Sequence, residues 1–362
     1  MIKFLLSGVA IALSFLGIIL LLPAIMPDKP IPHYDDQTLR EMALSRDIKP
    51  IPLDDEGLLR AVDNPNNPMS REKVVLGKKL FFDSLLSKDQ TLNCASCHIL
   101  EQGGDDNLPT AIGYHGRANP SHLNSPTVLN AALAQSQFWD GRAKDVEEQA
   151  AGPIQAPFEM NMRPEEVVSR LSAIPEYVDS FQQVFGEPIS FRNVQKAIGA
   201  YERTLLTYGK FDRFLEGNDT SISPAAKRGL ALFIRRGCKG CHTGMSVGGQ
   251  SIQKFPLRSY PEDLLNLQFS PNLKIVDSTF PFENIGGFLG RDDALRFRVP
   301  ILRNISKTAP YFHNGSISEL EEAVRIMSKY QVGREFTPKE IDDVVEFLKT
   351  LDGEMVDYAI GK

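Results

Sequence analysis

Two stretches of the chain share one pattern of apolar and polar positions. The segments "VVLGKKLFFDSLLS" (74–87) and "AAKRGLALFIRRG" (225–237) place apolar side chains three and four residues apart, as on one face of an α-helix. Each contains a Gly-x-x-x-Phe pair, which is Gly77 and Phe81 in the first segment and Gly229 and Phe233 in the second. The repetition predicts two amphipathic helices in two related structural units.

Helix boundaries are also visible in the sequence. Ser223 followed by Pro224 is a typical helix start, with the hydroxyl as N-cap and proline in the first turn. Thr337 and Glu340 form a capping box before a C-terminal apolar face made of Ile341, Val344, Val345, Leu348 and Leu351. Because no repeated strand pattern is present, the fold class is predicted to be mainly α.

The N-terminus carries a long uncharged run. Residues 4–26, "FLLSGVAIALSFLGIILLLPAIM", follow Lys3 and number 23, which is enough for a helix that crosses a bilayer. A basic residue before an apolar core is also the pattern of a signal peptide. We therefore predict an N-terminal hydrophobic helix in residues 1–27, as a signal anchor or a signal peptide. In either case, the rest of the chain is expected in the periplasm. An uncleaved helix would also anchor it to the inner membrane.

Length and charge narrow the class of protein. A chain of 362 residues favours two domains, each with its own core. The net charge of −6 argues against nucleic-acid binding, which requires a basic surface.

All four cysteines lie in two copies of Cys-x-x-Cys-His, within "TLNCASCHIL" (91–100) and "RRGCKGCHTGM" (235–245). In this motif two thiols bond covalently to the vinyl groups of a haem, and the adjacent histidine binds the iron. The sequence therefore predicts two c-type haems. The first is attached through Cys94 and Cys97 with His98 as ligand, and the second through Cys238 and Cys241 with His242 as ligand.

Disulfide formation and zinc binding are two alternative uses of the cysteines. An exported chain can form disulfides, and two Cys-x-x-Cys pairs can together hold one zinc ion. Both alternatives leave the two histidines without a role. Haem attachment uses every cysteine and both histidines, so it is the preferred interpretation.

Two further stretches resemble a known family. They are "HLNSPTVLNAALAQSQFWDGRAKDVEEQAAGPIQAPFEM" (122–160) and "FRVPILRNISKTAPYFHNGSISELEEAVRIM" (297–327). They carry the motifs N-S-P-T-x-x-N, F-W-D-G-R, L-R-N and T-A-P-Y-x-H-x-G in the order seen in the bacterial dihaem cytochrome c peroxidases. The resemblance covers roughly residues 70–352.

This resemblance implies two tandem cytochrome c-like domains with one haem each. The expected divisions are a linker (28–69), an N-terminal peroxidatic domain (70–215), a C-terminal electron-transfer domain (216–352) and a tail (353–362). The first haem would reduce hydrogen peroxide, and the second would accept electrons from a small donor protein such as a cytochrome c or a cupredoxin. Family members are often homodimers, although no feature of this sequence demands one.

The resemblance also assigns individual residues. Glu159 matches the catalytic carboxylate and Gln149 the amide of the distal pocket, while the single tryptophan, Trp139, matches the electron path between the haems. Met327 occupies the position of the second haem's axial methionine. Met245 is too close to His242 in sequence to reach the other face of that haem.

The distal ligand of the first haem is where the sequence departs from the family pattern. The family has a histidine after G-G-x-D-N-x-x-x-x-I-G, whereas "GGDDNLPTAIGYHGR" has Tyr114 in that position. His115 follows directly and is the preferred ligand. Tyr114, His122 or no residue at all are the alternatives.

A calcium ion is also implied at the interface of the two haem domains. Its protein ligands would be the side chain of Asn124 and the carbonyl groups of Thr308 and Pro310. Oxygen ligands of this kind suit a hard cation such as calcium.

Three functions are compatible with these sequence features. The first is a peroxidase, and the second is the related dihaem enzyme that oxidises tryptophans of a partner protein. That enzyme carries tyrosine where Met327 stands, so Met327 favours the peroxidase. The third is a membrane-tethered electron carrier, which would not need Glu159 and Gln149.

Overall fold

The fold is mainly helical, as predicted. The computed structural model describes residues 30–258 and 284–362, of which Tyr34–Lys362 form one compact unit. The helices are α1 (Asp36–Leu44), α2 (Asp55–Val62), α3 (Arg71–Phe81), α4 (Val146–Gln155), α5 (Pro164–Ser172), α6 (Pro175–Phe185), α7 (Phe191–Glu202), α8 (Lys210–Leu215), α9 (Pro224–Arg235), α10 (Leu320–Met327) and α11 (Pro338–Lys349). The strands are β1 (Thr207–Gly209), β2 (Ile252–Lys254), β3 (Arg296–Arg298) and β4 (Gly353–Met355), which form the antiparallel pairs β1–β4 and β2–β3.

The predicted helix starts are confirmed. The Ser223 hydroxyl accepts a hydrogen bond from the amide of Ala226 at 3.1 Å. The Thr337 hydroxyl accepts one from the amide of Glu340 at 3.3 Å, and the Glu340 carboxylate accepts the amide of Thr337 at 3.0 Å. These contacts satisfy backbone donors that have no partner inside the first turn of a helix.

The Gly-x-x-x-Phe repeat has the same packing role in both halves. A Cβ atom on Gly77 would lie 1.9 Å from the carbonyl oxygen of Ala197, so only glycine lets α3 and α7 approach this closely. In the second half, a Cβ atom on Gly229 would lie 1.8 Å from the carbonyl oxygen of Asp343, where α9 crosses α11. The glycine therefore sets the distance between two helix backbones in each half.

The phenylalanine one turn later completes each contact. The ring of Phe81 packs edge-on against Tyr201 with centroids 5.3 Å apart, and that of Phe233 lies 5.2 Å from Phe347. In each half, the helix before a Cys-x-x-Cys-His motif thus packs on a later helix through the same glycine and aromatic pair.

The predicted linker and tail both contain regular secondary structure. Residues 30–69 of the linker contain α1 and α2, whose apolar residues Leu39, Ala43, Leu58 and Val62 are buried. The tail contributes β4, which pairs with β1 in the register Thr207 opposite Met355. Both segments are held because burying their apolar side chains offsets the entropy lost on ordering them.

The predicted hydrophobic helix over residues 4–26 lies outside the described residues. Within 30–258 and 284–362, no helix is both long and apolar enough to cross a membrane.

Candidate active site

Each Cys-x-x-Cys-His motif forms a single tight helical turn. In the first, the amides of Cys97 and His98 donate to the carbonyl of Cys94 at 3.2 and 3.0 Å. This turn brings two thiols and an imidazole to the wall of one cavity of about 370 Å³.

The second motif repeats this geometry. The amides of Cys241 and His242 donate to the carbonyl of Cys238 at 3.2 and 3.1 Å. All three residues line a second cavity of about 400 Å³. Because each cysteine pair lines its own cavity, the four thiols do not come together to bind one zinc ion. The four cysteines are not joined in disulfides either.

Both histidines are oriented as iron ligands. His98 Nδ1 lies 3.0 Å from the Gly104 carbonyl, and His242 Nδ1 lies 3.3 Å from the Val247 carbonyl. A carbonyl can only accept, so Nδ1 carries the proton and Nε2 keeps its lone pair for a metal. Burial lowers the pKa of His98, and it lowers that of His242 to about 4, which keeps both rings neutral. The residues present therefore fit two c-type haems.

The thiols have the character expected of attachment sites rather than free reactive cysteines. Burial raises the pKa of Cys97 and of Cys238 to about 12, and it also raises the pKa of Cys94 and Cys241. These groups are therefore not stabilised as thiolates, the form that reactive redox cysteines require.

Glu159 and Gln149 both line the first cavity, together with His98. Gln149 lies on α4, which begins where the Asp145 carboxylate caps the amide of Glu148 at 2.9 Å. Glu159 follows the end of α4 in a turn closed by its own amide, which donates to the Ala156 carbonyl at 3.0 Å. The structure thus brings together the two distal-pocket residues that the resemblance assigned.

The carboxyl group of Glu159 has a raised pKa. Burial raises its pKa to about 7, and the positive charge of Arg142 partly opposes that rise. A carboxyl group with a pKa in this range can both take up and release a proton near neutral pH.

Met327 lines the second cavity with His242 and is the last residue of α10. Met245 lines neither cavity, and its carbonyl instead accepts a hydrogen bond from Arg303 Nε at 2.6 Å. Of the two methionines considered, only Met327 is placed where it can reach the second haem.

Trp139 lines both cavities, and its indole nitrogen donates to the Asn124 carbonyl at 2.8 Å. The residues that line both cavities are Asn124, Ser125, Pro126, Thr127, Trp139 and Arg298, and together we call them the shared wall. Trp139 is the tryptophan of this wall, which agrees with its predicted place between the haems.

The three residues implied for calcium lie together. The Asn124 side-chain amide donates to the Pro310 carbonyl, and both residues line the second cavity with Thr308. Calcium would require the opposite orientation of that amide, with the oxygen of Asn124 toward the ion. The two orientations differ only by a rotation of the side-chain amide.

None of the three candidate distal ligands lines the first cavity. His115 is exposed, has a φ of 58° and packs against Tyr114 with ring centroids 4.0 Å apart. His122 is half-buried and lies 3.5 Å from the Thr110 hydroxyl. His115, the expected ligand, is therefore exposed and is not among the residues that line the first cavity, and its ligation stays a prediction.

Three residues of the cavities were missed by the sequence analysis. Glu202 lines the first cavity, and burial together with the nearby charge of Glu147 raises its pKa to about 8. Arg298 lines both cavities and His313 lines the second, and each has a buried nitrogen without a hydrogen-bond partner. Arg298 and His313 belong to the motif stretch "FRVPILRNISKTAPYFHNG", which could have indicated them, but nothing local in the sequence shows that they face a cavity.

Two cavities with a Cys-x-x-Cys-His motif each, in one mainly helical chain and with the half-buried Glu159 beside the first motif, fit a dihaem c-type enzyme. A sequence model described as di-haem cytochrome c peroxidase matches residues 71–220. The cytochrome c551 peroxidase of Pseudomonas aeruginosa is 42% identical over 302 residues, which cover 81% of this chain and 83% of that protein. The cytochrome c551 peroxidase of Nitrosomonas europaea is 39% identical over 328 residues, which cover 88% of each chain.

Solved structures agree with this result. A MauG-like protein associated with microbial copper homeostasis superposes with a TM-score of 0.66 and 27% identity, over 83% of this chain and 95% of that one. On these similarities, the chain belongs to the di-haem cytochrome c peroxidase family.

Proposed function

We propose that the protein reduces hydrogen peroxide to two molecules of water, with two protons and with two electrons from a small periplasmic donor such as a cytochrome c or a cupredoxin. The observation that carries this proposal is the position of Glu159. Its carboxyl group has a pKa near 7 and lines the same cavity as His98 and the first cysteine pair. An electron carrier would have no use for a proton-transfer group in that position.

The protein residues have separate tasks. His98 provides the proximal nitrogen for the first haem, whose iron, when bound, supplies the peroxide-binding site and the redox chemistry. Glu159 takes the proton from the oxygen of peroxide nearer the iron and returns it to the departing oxygen, which leaves as water. The Gln149 amide donates a hydrogen bond that holds the peroxide in position for this transfer.

Electrons enter through the second haem site. His242 and Met327 supply a nitrogen and a thioether, and the thioether favours reduced iron and raises the potential of this site. Trp139 on the shared wall supports electron transfer between the two sites, because it touches both cavities.

The loop 103–123 regulates access to the first cavity in this proposal. His115 binds the iron in the fully oxidised enzyme and leaves when the second haem is reduced. The exposed position of His115 is compatible with its release from the iron in this proposal. Backbone freedom for this exchange comes from the glycines of the loop, of which Gly103, Gly104 and Gly116 have positive φ.

Calcium stabilises the boundary between the two halves in this proposal. Asn124 and the carbonyl groups of Thr308 and Pro310 provide three oxygen ligands, and water completes the coordination. Asn107 supports this arrangement, because its amide holds the carbonyls of Lys307 and Ala309 at 2.7 and 3.1 Å.

Oxidation of tryptophans in a partner protein is the second candidate function. Met327 opposes it, because the family resemblance gives that enzyme a tyrosine at this position. The proposed peroxidase requires neither a homodimer nor an uncleaved membrane anchor.

Peroxide turnover with reduced cytochrome c tests the proposal. We expect turnover by the unmodified enzyme and a rate lower by about 10²–10⁴-fold in Glu159→Gln, which is the usual contribution of acid–base catalysis. Glu165→Gln, at an exposed position in the first turn of α5, is the matched control and keeps the full rate. No turnover by the unmodified enzyme with several reduced donors would reject the peroxidase.

A further inference from the structure

The side chain of Arg298 is a buried cation without an anionic partner among the described residues. It is 3% exposed, and one of its terminal nitrogens has no hydrogen-bond partner. Its Nε donates to the Phe138 carbonyl at 3.2 Å, which is a neutral acceptor. Burial lowers the pKa of Arg298 to about 10, and no carboxylate of the described residues opposes that change. Burying an unpaired charge is costly, so such a group indicates a missing partner.

The other arginines around the two cavities are already paired. Arg142 forms an ion pair with Asp140 at 2.9 Å and lies over the ring of Phe138. Arg236 lies 3.6 Å from Glu340. Arg298 differs from them because none of the residues in 30–258 and 284–362 gives its charge a counter-ion.

The position of Arg298 suggests which group this is. Arg298 is the charged residue of the shared wall, whose other members are neutral. Neither cysteine pair belongs to that wall, because Cys94 and Cys97 line the first cavity alone and Cys238 and Cys241 the second alone. The thioether edge of a haem attached at either cysteine pair would therefore lie away from the wall. The opposite edge of a haem carries two propionate groups, which are carboxylates.

We propose that the Arg298 guanidinium binds haem propionate at the shared wall and so raises the reduction potential of the haem it contacts. Arginine suits this role because its planar fork of donors matches a carboxylate. The potential rises because a fixed positive charge disfavours the ferric state, which carries one positive charge more than the ferrous state. This inference rests on haem attachment at the two motifs and does not depend on peroxide turnover.

The backbone fixes Arg298 next to the electron path. Its amide donates to the Trp139 carbonyl at 2.7 Å, and its strand β3 pairs with β2 so that Arg298 lies opposite Ile252. Arg298 is thus a positioning residue that links Trp139 to the propionate edge of a haem.

Spectroelectrochemical titration of the dihaem enzyme tests the proposal. We expect Arg298→Met to lower the midpoint potential of at least one haem by about 59 mV or more, which is a tenfold change in the ratio of reduced to oxidised haem. In Arg298→Lys, which keeps the positive charge, the ratio of reduced to oxidised haem stays within threefold of its value in the unmodified enzyme. Arg296→Met is the matched control, because Arg296 is on the same strand but exposed, and it leaves both potentials unchanged.

Identical potentials in Arg298→Met and Arg296→Met would overturn the proposal. If Arg298→Met binds fewer than two haems, Arg298→Gln replaces it, and equal potentials in Arg298→Gln and Arg298→Lys would overturn the proposal.

A structural role alone would not shift the propionate bending bands in resonance Raman spectra of the ferric enzyme. We expect these bands to move in Arg298→Gln and to remain in place in Arg296→Met. Since the titration needs no peroxide, its result is independent of whether the proposed peroxidase activity is correct.

Discussion

The backbone amide of Tyr114 donates a hydrogen bond of 2.8 Å to the backbone carbonyl of Glu159. The loop that carries the candidate distal ligands is therefore hydrogen-bonded to the segment that carries Glu159. Gly113 makes the contact possible, because a Cβ atom there would lie 2.0 Å from the Phe158 carbonyl oxygen. If the proposed ligand exchange takes place, a movement of the loop that brings His115 to the iron would have to change this contact, so we expect ligand exchange to alter the position of Glu159.

Replacing Gly113 tests that coupling. Gly113→Ala pushes the loop away from the backbone of Glu159, and a misplacement of this size is expected to lower the peroxidase rate by about 10–100-fold. Haem content, measured as pyridine haemochrome, stays at two per chain. Gly116→Ala is the control, since nothing lies within 4 Å of a Cβ there and only its φ of 68° is unfavourable. Equal rates in the two variants would show that the contact is not needed for catalysis.

The pKa of Glu159 predicts the pH dependence of the reaction. Burial raises this pKa to about 7, so the carboxylate that accepts the proton of peroxide becomes populated as the pH rises through about 7. We expect kcat/KM for peroxide to rise over that range and to fall below it. Glu159→Gln should remove the step. A step that persists in Glu159→Gln would assign the titration to another group.

Replacement of Met327 tests the ligation of the second haem. Met327→His exchanges a thioether for a nitrogen ligand, which stabilises ferric iron and lowers the potential of the second haem. Electron entry from the donor slows, and the near-infrared band of methionine ligation disappears. Met245→Leu is the control, because Met245 lines neither cavity. Retention of the band in Met327→His would exclude Met327 as a ligand.

The resting state of the first haem tests the proposed loop exchange. In His115→Ala, we expect one low-spin signal to be lost from the electron spin resonance spectrum of the fully oxidised enzyme. Peroxidase activity should then no longer require prior reduction of the second haem. His122→Ala is the control, as it alters the neighbouring histidine of the same loop. An unchanged spectrum in His115→Ala would show that His115 stays exposed, as it is in the described arrangement.

The buried ion pair between Arg303 and Asp212 is expected to contribute strongly to the stability of the fold. Both side chains are 0% exposed, and the guanidinium binds both carboxylate oxygens at 2.7 and 2.9 Å. Asp212 also accepts the amides of Ile51 and Gly209 at 2.9 and 2.8 Å. Asp212→Asn leaves the arginine buried without a counter-ion, so we expect a loss of about 3–5 kcal/mol in the free energy of unfolding.

Denaturant unfolding of the haem-loaded protein measures this loss. Glu56→Gln, which removes the exposed pair with Arg60, is the matched control, and it is expected to cost less than about 1 kcal/mol. A similar small change in Asp212→Asn would mean that the buried pair is not a main support of the fold.

Several features of this protein follow from the sequence alone, because they depend on residues close together in the chain. The two haem motifs form single helical turns, so the spacing of Cys94, Cys97 and His98 already implies their shared orientation. The caps at Ser223 and Thr337 act within three residues. The mainly helical class and the repeated Gly-x-x-x-Phe pattern were predicted for the same reason.

Tertiary structure decided what depends on contacts between distant segments. No local pattern shows that Gly77 meets Ala197, that β1 pairs with β4, or that α1 and α2 pack on the body of the protein. The burial of Arg298 between two cavities is likewise a property of the packed chain and not of its own strand. His115 has the residue type of a ligand, but its φ and its packing against Tyr114 hold it outside the cavity. Short-range spacing specifies turns, caps and attachment sites, whereas the surroundings of a side chain are set by long-range packing.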